Sequence, residues 1–183
     1  MRAIFVAVTV LFVTLGGRAF SAQDLKLLQA PPPQIWESRE ELHDDYVRRF
    51  ESAAGFGMSR MARPPMLYRS GTLDTGRGRY AIDAIELVGQ LLTDAPAAYV
   101  PGAHDASLKA AFDRRALTPF ETKALAMLRA GNQLVSTDDD GSGTLAVVGA
   151  LRAKESCLKC HGSRKAGDLL GAFTYRLRRI AHD

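Results

Sequence analysis

The chain has 183 residues, of which 46% are hydrophobic, with 24 lysines and arginines against 20 aspartates and glutamates. That length supports one ordinary domain with a real core and excludes a string of them. The basic excess does not point to nucleic acid, because the arginines are dispersed and neither a recognition helix nor an aromatic RNA-binding motif accompanies them.

At the start, Met1-Arg2 and the apolar run Ala3 to Leu15 have the charged end and short greasy core of a secretory signal. Gly16-Gly17, Ala19, Ser21 and Ala22 supply small residues for cleavage, which places the signal at residues 1–22. The run is shorter than the ~20 apolar residues of a comfortable membrane-crossing helix, although Arg18 and Phe20 also fit an uncleaved anchor. No cysteine lies nearby, which excludes a lipoprotein anchor. Residues 1–22 hold Arg2 and Arg18 and no acid, so half of the +4 excess leaves with them. Residues 23–34, with Pro31-Pro32-Pro33, read as an extended linker, and one domain is expected over 35–183.

Within that domain, Leu42, Tyr46 and Phe50 recur every fourth residue between charged ones, so a helix is predicted from Glu37 to Phe50. Gly55 to Met61 is glycine-punctuated and runs into Arg63-Pro64-Pro65, where the chain turns. Met66-Leu67-Tyr68 then reads as a short strand, followed by a loop from Gly71 to Gly78. Ile82, Ile85, Val88 and Leu92 fall at helical spacing, which predicts a core-facing helix over Tyr80 to Leu92, stopped at Ala95-Pro96. Ala97 to Pro101 looks extended, and Ser107 to Phe112 reads as a short helix.

Thr118-Pro119-Phe120-Glu121 is a strong helix start: threonine as N-cap, proline at the first helical position, and a glutamate placed to close a capping box. That helix should run to Ala130 and stop at Gly131. Leu134-Val135 and Thr144 to Val148 flank an acidic, glycine-rich turn, Asp138 to Gly143, and read as a hairpin. A calcium loop aligned on Gly141 would put Val147 where the bidentate glutamate belongs, so the turn reads as solvated. Leu169 to Leu177, with Phe173 and Tyr175, is predicted to be a strand, and Arg176, Arg178 and Arg179 form a basic end.

Between those last two strands lies Cys157-Leu158-Lys159-Cys160-His161, the attachment signature of c-type haem. Two thiols three residues apart can reach the two vinyl groups of one porphyrin, and the next imidazole then lies against the iron. Cys157 and Cys160 would form the thioethers, and His161 would be the proximal ligand. A dithiol redox pair is the main competing reading, with Lys159 and His161 acting on the thiols. Zinc would want a second Cys/His pair, and the chain has only 2 cysteines. A disulfide across so short a loop would stabilise little. Export and motif support each other, since haem c is attached outside the bacterial inner membrane, and the expected location is periplasmic or otherwise exported.

Three segments together resemble a known family: Leu117-Thr118-Pro119-Phe120-Glu121, then Gly149-Ala150-Leu151-Arg152-Ala153 running into the haem motif and Gly162, then Gly167-Asp168-Leu169-Leu170-Gly171-Ala172-Phe173. They resemble the PAS-like, single-haem c-type domain family, long labelled a domain of unknown function. The resemblance covers roughly the last third of the chain and is looser from Trp36 to Leu92. It implies an α+β fold, a PAS-like antiparallel sheet flanked by helices, with one covalent haem c held near the C-terminus. It also implies electron transfer or redox sensing, and carries Cys157, Cys160 and His161 over as attachment sites and proximal ligand.

For the distal side the donors are Met58, Met61, Met66, Met127, His43, His104 and His182, with Met58 first because Gly57 and Ser59 let its sulfur approach a ring. Met127, on the Phe120/Ala124/Met127 face of its helix, reads as core, and His43 flanks an apolar stripe. Arg60, Arg63 and Arg69 could meet haem propionates, and Phe120, Phe173 and Tyr175 could pack on the ring. An open or displaceable sixth position would instead make a gas-binding sensor. No distal Arg/His constellation of a peroxidase stands out, so a carrier or sensor is expected rather than an enzyme. The expected partner is a redox protein, with membrane contact only through an uncleaved signal.

Overall fold

Valine, isoleucine, leucine and aromatic residues at every second position give β3 (Arg79–Gly89), β7 (Thr144–Arg152) and β8 (Leu169–Ile180), the three long strands at the centre of the sheet. The structure is a computed structural model and describes residues 34–55, 57–63, 66, 71–89, 96–101, 112–137 and 143–181. The signal at 1–22, the linker up to Pro33, Leu67-Tyr68, Arg69, His104, residues 107–111, the turn at 138–142 and His182 lie outside the described residues, as does the side chain of Met58.

Five shorter strands complete the described sheet: β1 (Gln34–Trp36), β2 (Gly71–Asp74), β4 (Ala97–Pro101), β5 (Phe112–Arg115) and β6 (Leu134–Ser136). The order is β1-β2-β3-β8-β7-β6, with β4 pairing β3 and β5. All pairs are antiparallel except β1 with β2, so the sheet is open and mixed. Helix α1 (Arg39–Ser52) and helix α2 (Pro119–Arg129) serve opposite faces of it. Among the described residues no helix is long and apolar enough to cross a membrane.

One face carries Ile85, Val147, Phe173, Tyr175 and Leu177, packed under Leu42 and Tyr46 of α1 together with Trp36, Met61 and Met66. The other carries Val88, Val148, Ala150 and Ala172 under Ala124, Leu125 and Leu128 of α2. Each large side chain so buried contributes roughly 1.5–3 kcal/mol relative to exposure. Trp36, fully buried, donates from Nε1 to Asp45 Oδ2 at 3.3 Å, and Arg49 holds the same carboxylate at 2.7 Å. These contacts tie β1 to α1.

Several predicted elements stand. Helix α1 fills the predicted first helix, and β4, β6, β7 and β8 lie where extended chain was expected. Helix α2 has its full capping box: Glu121 N–H donates to Thr118 Oγ1 at 3.2 Å, and Thr118 N–H donates to Glu121 Oε2 at 2.8 Å. It stops where Gly131 adopts φ 111°, with Gly131 N–H on Leu128 O and Asn132 N–H on Met127 O.

The helix predicted over Tyr80 to Leu92 is instead strand β3 over its described part, and the reason is a bulge. Ile82 pairs with Leu177 and Ala84 with Arg176, leaving Asp83 as an extra residue. A strand period of two broken by one inserted residue gives Ile82 and Ile85 a spacing of three, which imitates a helix. The loop predicted from Gly71 is strand β2 as far as Asp74, because a Cβ on Gly71 would strike the Trp36 ring and the glycine is there for that close approach. Phe112, predicted to end a helix, begins β5. Met127 is 38% exposed and so is not core. The buried stripe of α2 is Glu121, Ala124, Leu125 and Leu128, one residue round from the predicted face.

Candidate functional site

Sixteen residues of connection, 153–168, separate β7 from β8, and the Cys-x-x-Cys-His run occupies their middle. The base of the connection is closed by Ala153 N–H donating to Asp168 O at 2.8 Å and Gly167 N–H donating to Ala153 O at 2.8 Å. Arg152, the last residue of β7, adds a clamp. Its guanidinium donates to Gly167 O at 3.1 Å, to Leu128 O at 2.9 Å, to Asn132 O at 3.0 Å and to Gln133 Oε1 at 3.2 Å. One positive charge thus adds donors to carbonyls at and just past the α2 C-terminus, where a cation is favoured, and holds the loop base to them. Lys154 pairs with Glu51 of α1 at 2.8 Å, tying the loop to the other helix as well.

On this footing a short helix, α3 (Glu155–Leu158), carries the motif. Cys157 O accepts from both Cys160 N–H at 3.2 Å and His161 N–H at 3.0 Å, so the three motif residues share one turn. Cys157 is half-buried, Cys160 and His161 are exposed, and both thiols are free. Among the described residues no group of three or more His, Cys, Asp or Glu converges as ligands of a metal ion. Haem attachment does not require convergence. Two thiols meet the edge of the ring while the imidazole meets its centre, so exposed donors spread along one turn fit that group. Haem would supply the electron-accepting iron, and Cys157, Cys160 and His161 would be the residues that hold it.

The remaining site candidates separate. Phe173 and Tyr175 are fully buried in the α1-side core, where Phe173 stands edge-on to Phe50 at 5.4 Å and Tyr175 to Tyr46 at 5.9 Å. Phe120 belongs to the opposite face, with the α2 cluster. The structure therefore does not bring the three aromatics together. Met61 and Met66, each 2% exposed, belong to the α1-side core. Met58 lies in the 3₁₀ helix Gly57–Ala62. Arg60 is committed to the end of α1, donating to Gly55 O at 3.0 Å and Phe50 O at 3.3 Å, while Arg63 is exposed.

His43 is more than a flanking residue. It is 6% exposed, with Nε2 at 3.0 Å from Ala150 O and Nδ1 at 2.9 Å from the Tyr175 hydroxyl. A carbonyl only accepts, so Nε2 carries the proton and Nδ1 accepts from Tyr175 O–H. Gly149 makes room, since a Cβ there would collide with the imidazole. Both ring nitrogens are occupied, which withdraws His43 from the distal candidates. Burial pushes its pKa below 6.5, against the backbone bond to Ala150 and the charges of Asp44 and Glu40, and burial pushes Tyr175 up.

A histidine whose pKa is lower folded than unfolded contributes stability that is present above the unfolded value and lost as pH falls through it. Urea midpoints should therefore drop as pH falls through about 6.5. His43→Asn, less stable throughout, should lack that drop. An equal drop in both proteins would assign it to another group.

Charge was the feature least legible beforehand. Glu86 and Glu121, 6% and 4% exposed, share the guanidinium of Arg115. Glu121 Oε1 also accepts from Thr174 Oγ1 at 2.9 Å. Burial raises the Glu121 carboxyl, but the hydrogen bonds from Arg115, the Thr118 backbone and Thr174, with the Arg115 charge, together outweigh it and hold Glu121 at about 2, while the bonds to Glu121 push Arg115 up. The available signal was Glu86, one charge inside the apolar run Ile85-Glu86-Leu87-Val88.

A family model described as Tll0287-like matches residues 101–177, a stretch that begins at the end of β4 and contains the whole motif loop. That family comprises cytochrome-like, haem-sensor domains. The chain is similar to it over that stretch, in keeping with a haem-related domain. No curated protein and no solved structure matches the chain.

Proposed function

We propose that this chain is an exported c-type cytochrome domain that carries one covalent haem on Cys157 and Cys160, with His161 as proximal ligand, and acts in electron transfer or redox sensing. The observation that carries the reading is the shared turn of Cys157, Cys160 and His161, exposed on a loop whose base is braced by Arg152 and Lys154. A prosthetic group covalently held there meets solvent, and so meets a redox partner protein, while its attachment point stays fixed relative to both helices. The Tll0287-like match across 101–177 supports the same reading. On the distal side, with His43, Met61 and Met66 committed to the core, the chain's remaining candidates are Met58, His104, His182 and the exposed Met127.

The test is a pyridine haemochrome spectrum of the full chain, exported and co-expressed with a haem c maturation system. A c-type spectrum that survives acid–acetone extraction is the expected result. A colourless protein with two titratable thiols would replace the cytochrome reading with the dithiol one.

A further inference from the structure

The face of the sheet under α2 is covered only in part. Between the start of α2 and the strands β3, β7 and β8 lies a cavity of about 360 Å³, within the range of small-molecule sites. Its floor is Ala84 of β3 and Ala146 of β7, which flank Arg176 of β8 in the sheet register, and Phe120 stands at its rim. Glu86, paired across the ladder with Thr174, lines the same cavity beside Arg115 and Glu121.

Two unspent groups face this space. The Arg115 guanidinium engages Glu86 only through Oε2, whereas Glu121 uses both carboxylate oxygens, on Arg115, Thr118 and Thr174. Glu86 Oε1 accepts from no donor among the described residues, although the residue is 6% exposed. Oε1 is not among the fully enclosed atoms that lack a partner, so it reaches the cavity and can accept from a ligand there. Arg176, exposed one register step along β8, has no ion pair among the described residues.

We infer that this cavity binds a free α-amino acid. Glu86 Oε1 would receive the ammonium, Arg176 the carboxylate, and the alanine floor with Phe120 the side chain. One anion and one cation on adjacent strands, a register step apart, match a ligand whose opposite charges are separated by a single carbon. A simple amine or a simple acid would leave one of the two groups unanswered. The cavity contains none of residues 153–168, so the inference stands or falls apart from the haem reading.

The experiment is isothermal titration calorimetry of the full exported chain against the proteinogenic L-α-amino acids, each compared with its decarboxylated amine and its deaminated acid. At least one amino acid should bind, with its amine and its acid each at least tenfold weaker. Arg176→Gln, an exposed change that leaves the Arg115 network alone, should weaken binding at least tenfold. Glu86→Gln should do the same if its thermal midpoint shows it folded. No heat from any amino acid, or binding that Arg176→Gln leaves unchanged, would overturn the assignment, as would an amine that binds as tightly as its parent.

Discussion

Replacing Arg115 by methionine is expected to cost roughly 3 kcal/mol of stability at neutral pH, read as the urea unfolding free energy of variant against wild type. The arginine is the single positive charge shared by two carboxylates whose side chains are 7% and 5% exposed. Removing one partner of a buried pair leaves an uncompensated charge, at about 3–5 kcal/mol. The lower end applies because the Arg115 side chain is itself 33% exposed and water can partly take its place. Against a total of about 5–15 kcal/mol for an ordinary domain, that loss is large. The pH dependence supplies the sharper check. In the wild type Glu121 is held at about 2, so the stability it contributes is present above the unfolded carboxylate value and is lost progressively as pH falls from that value to about 2. Without Arg115, burial is the main influence on the Glu121 carboxyl and raises it, so the variant should gain on the wild type as pH falls from about 7 to about 5. His43 titrates in both proteins and cancels in the difference. A gap that is absent at neutral pH, or that does not narrow on acidification, would contradict this account of the network.

That network also shows where sequence reading stops. Thr118, Pro119, Glu121 and Gly131 act on neighbours within a turn, so both ends of α2 could be read from local spacing alone. The second role of Glu121 could not, because Arg115 and Thr174 reach it from other strands, 6 and 53 residues away in sequence. The same applies to His43, whose partners lie 107 and 132 residues along the chain. Strand β3 failed for a different reason: the bulge at Asp83 converts an alternating pattern into one that matches a helix, and no local residue announces a bulge. The motif loop was legible because its chemistry is contained in five consecutive residues. What braces it was not, since Arg152 gathers acceptors from α2, from the segment before β6 and from the far end of its own loop.

Changing both cysteines to alanine should abolish covalent haem altogether and leave the fold standing. Cys157 is half-buried and Cys160 exposed, and the hydrogen bonds that shape their turn come from backbone groups that alanine retains. The loop base at Ala153, Gly167 and Asp168, with the Arg152 clamp, does not involve either sulfur. The double variant should therefore keep its far-ultraviolet circular dichroism and lose only a small part of its unhaemed thermal midpoint, since surface changes of this kind are usually within about 0.5 kcal/mol. Acid–acetone extraction should remove all colour from it. His161→Ala separates attachment from ligation: its thioethers should survive extraction, while loss of the imidazole should shift the iron to high spin or weaken haem incorporation. Retention of extraction-resistant colour by the double cysteine variant would place the attachment elsewhere. Unchanged low-spin bands in His161→Ala would deny that residue its proximal role even with both thioethers in place. The two variants fail independently, so the pair assigns the thioethers and the axial nitrogen one at a time.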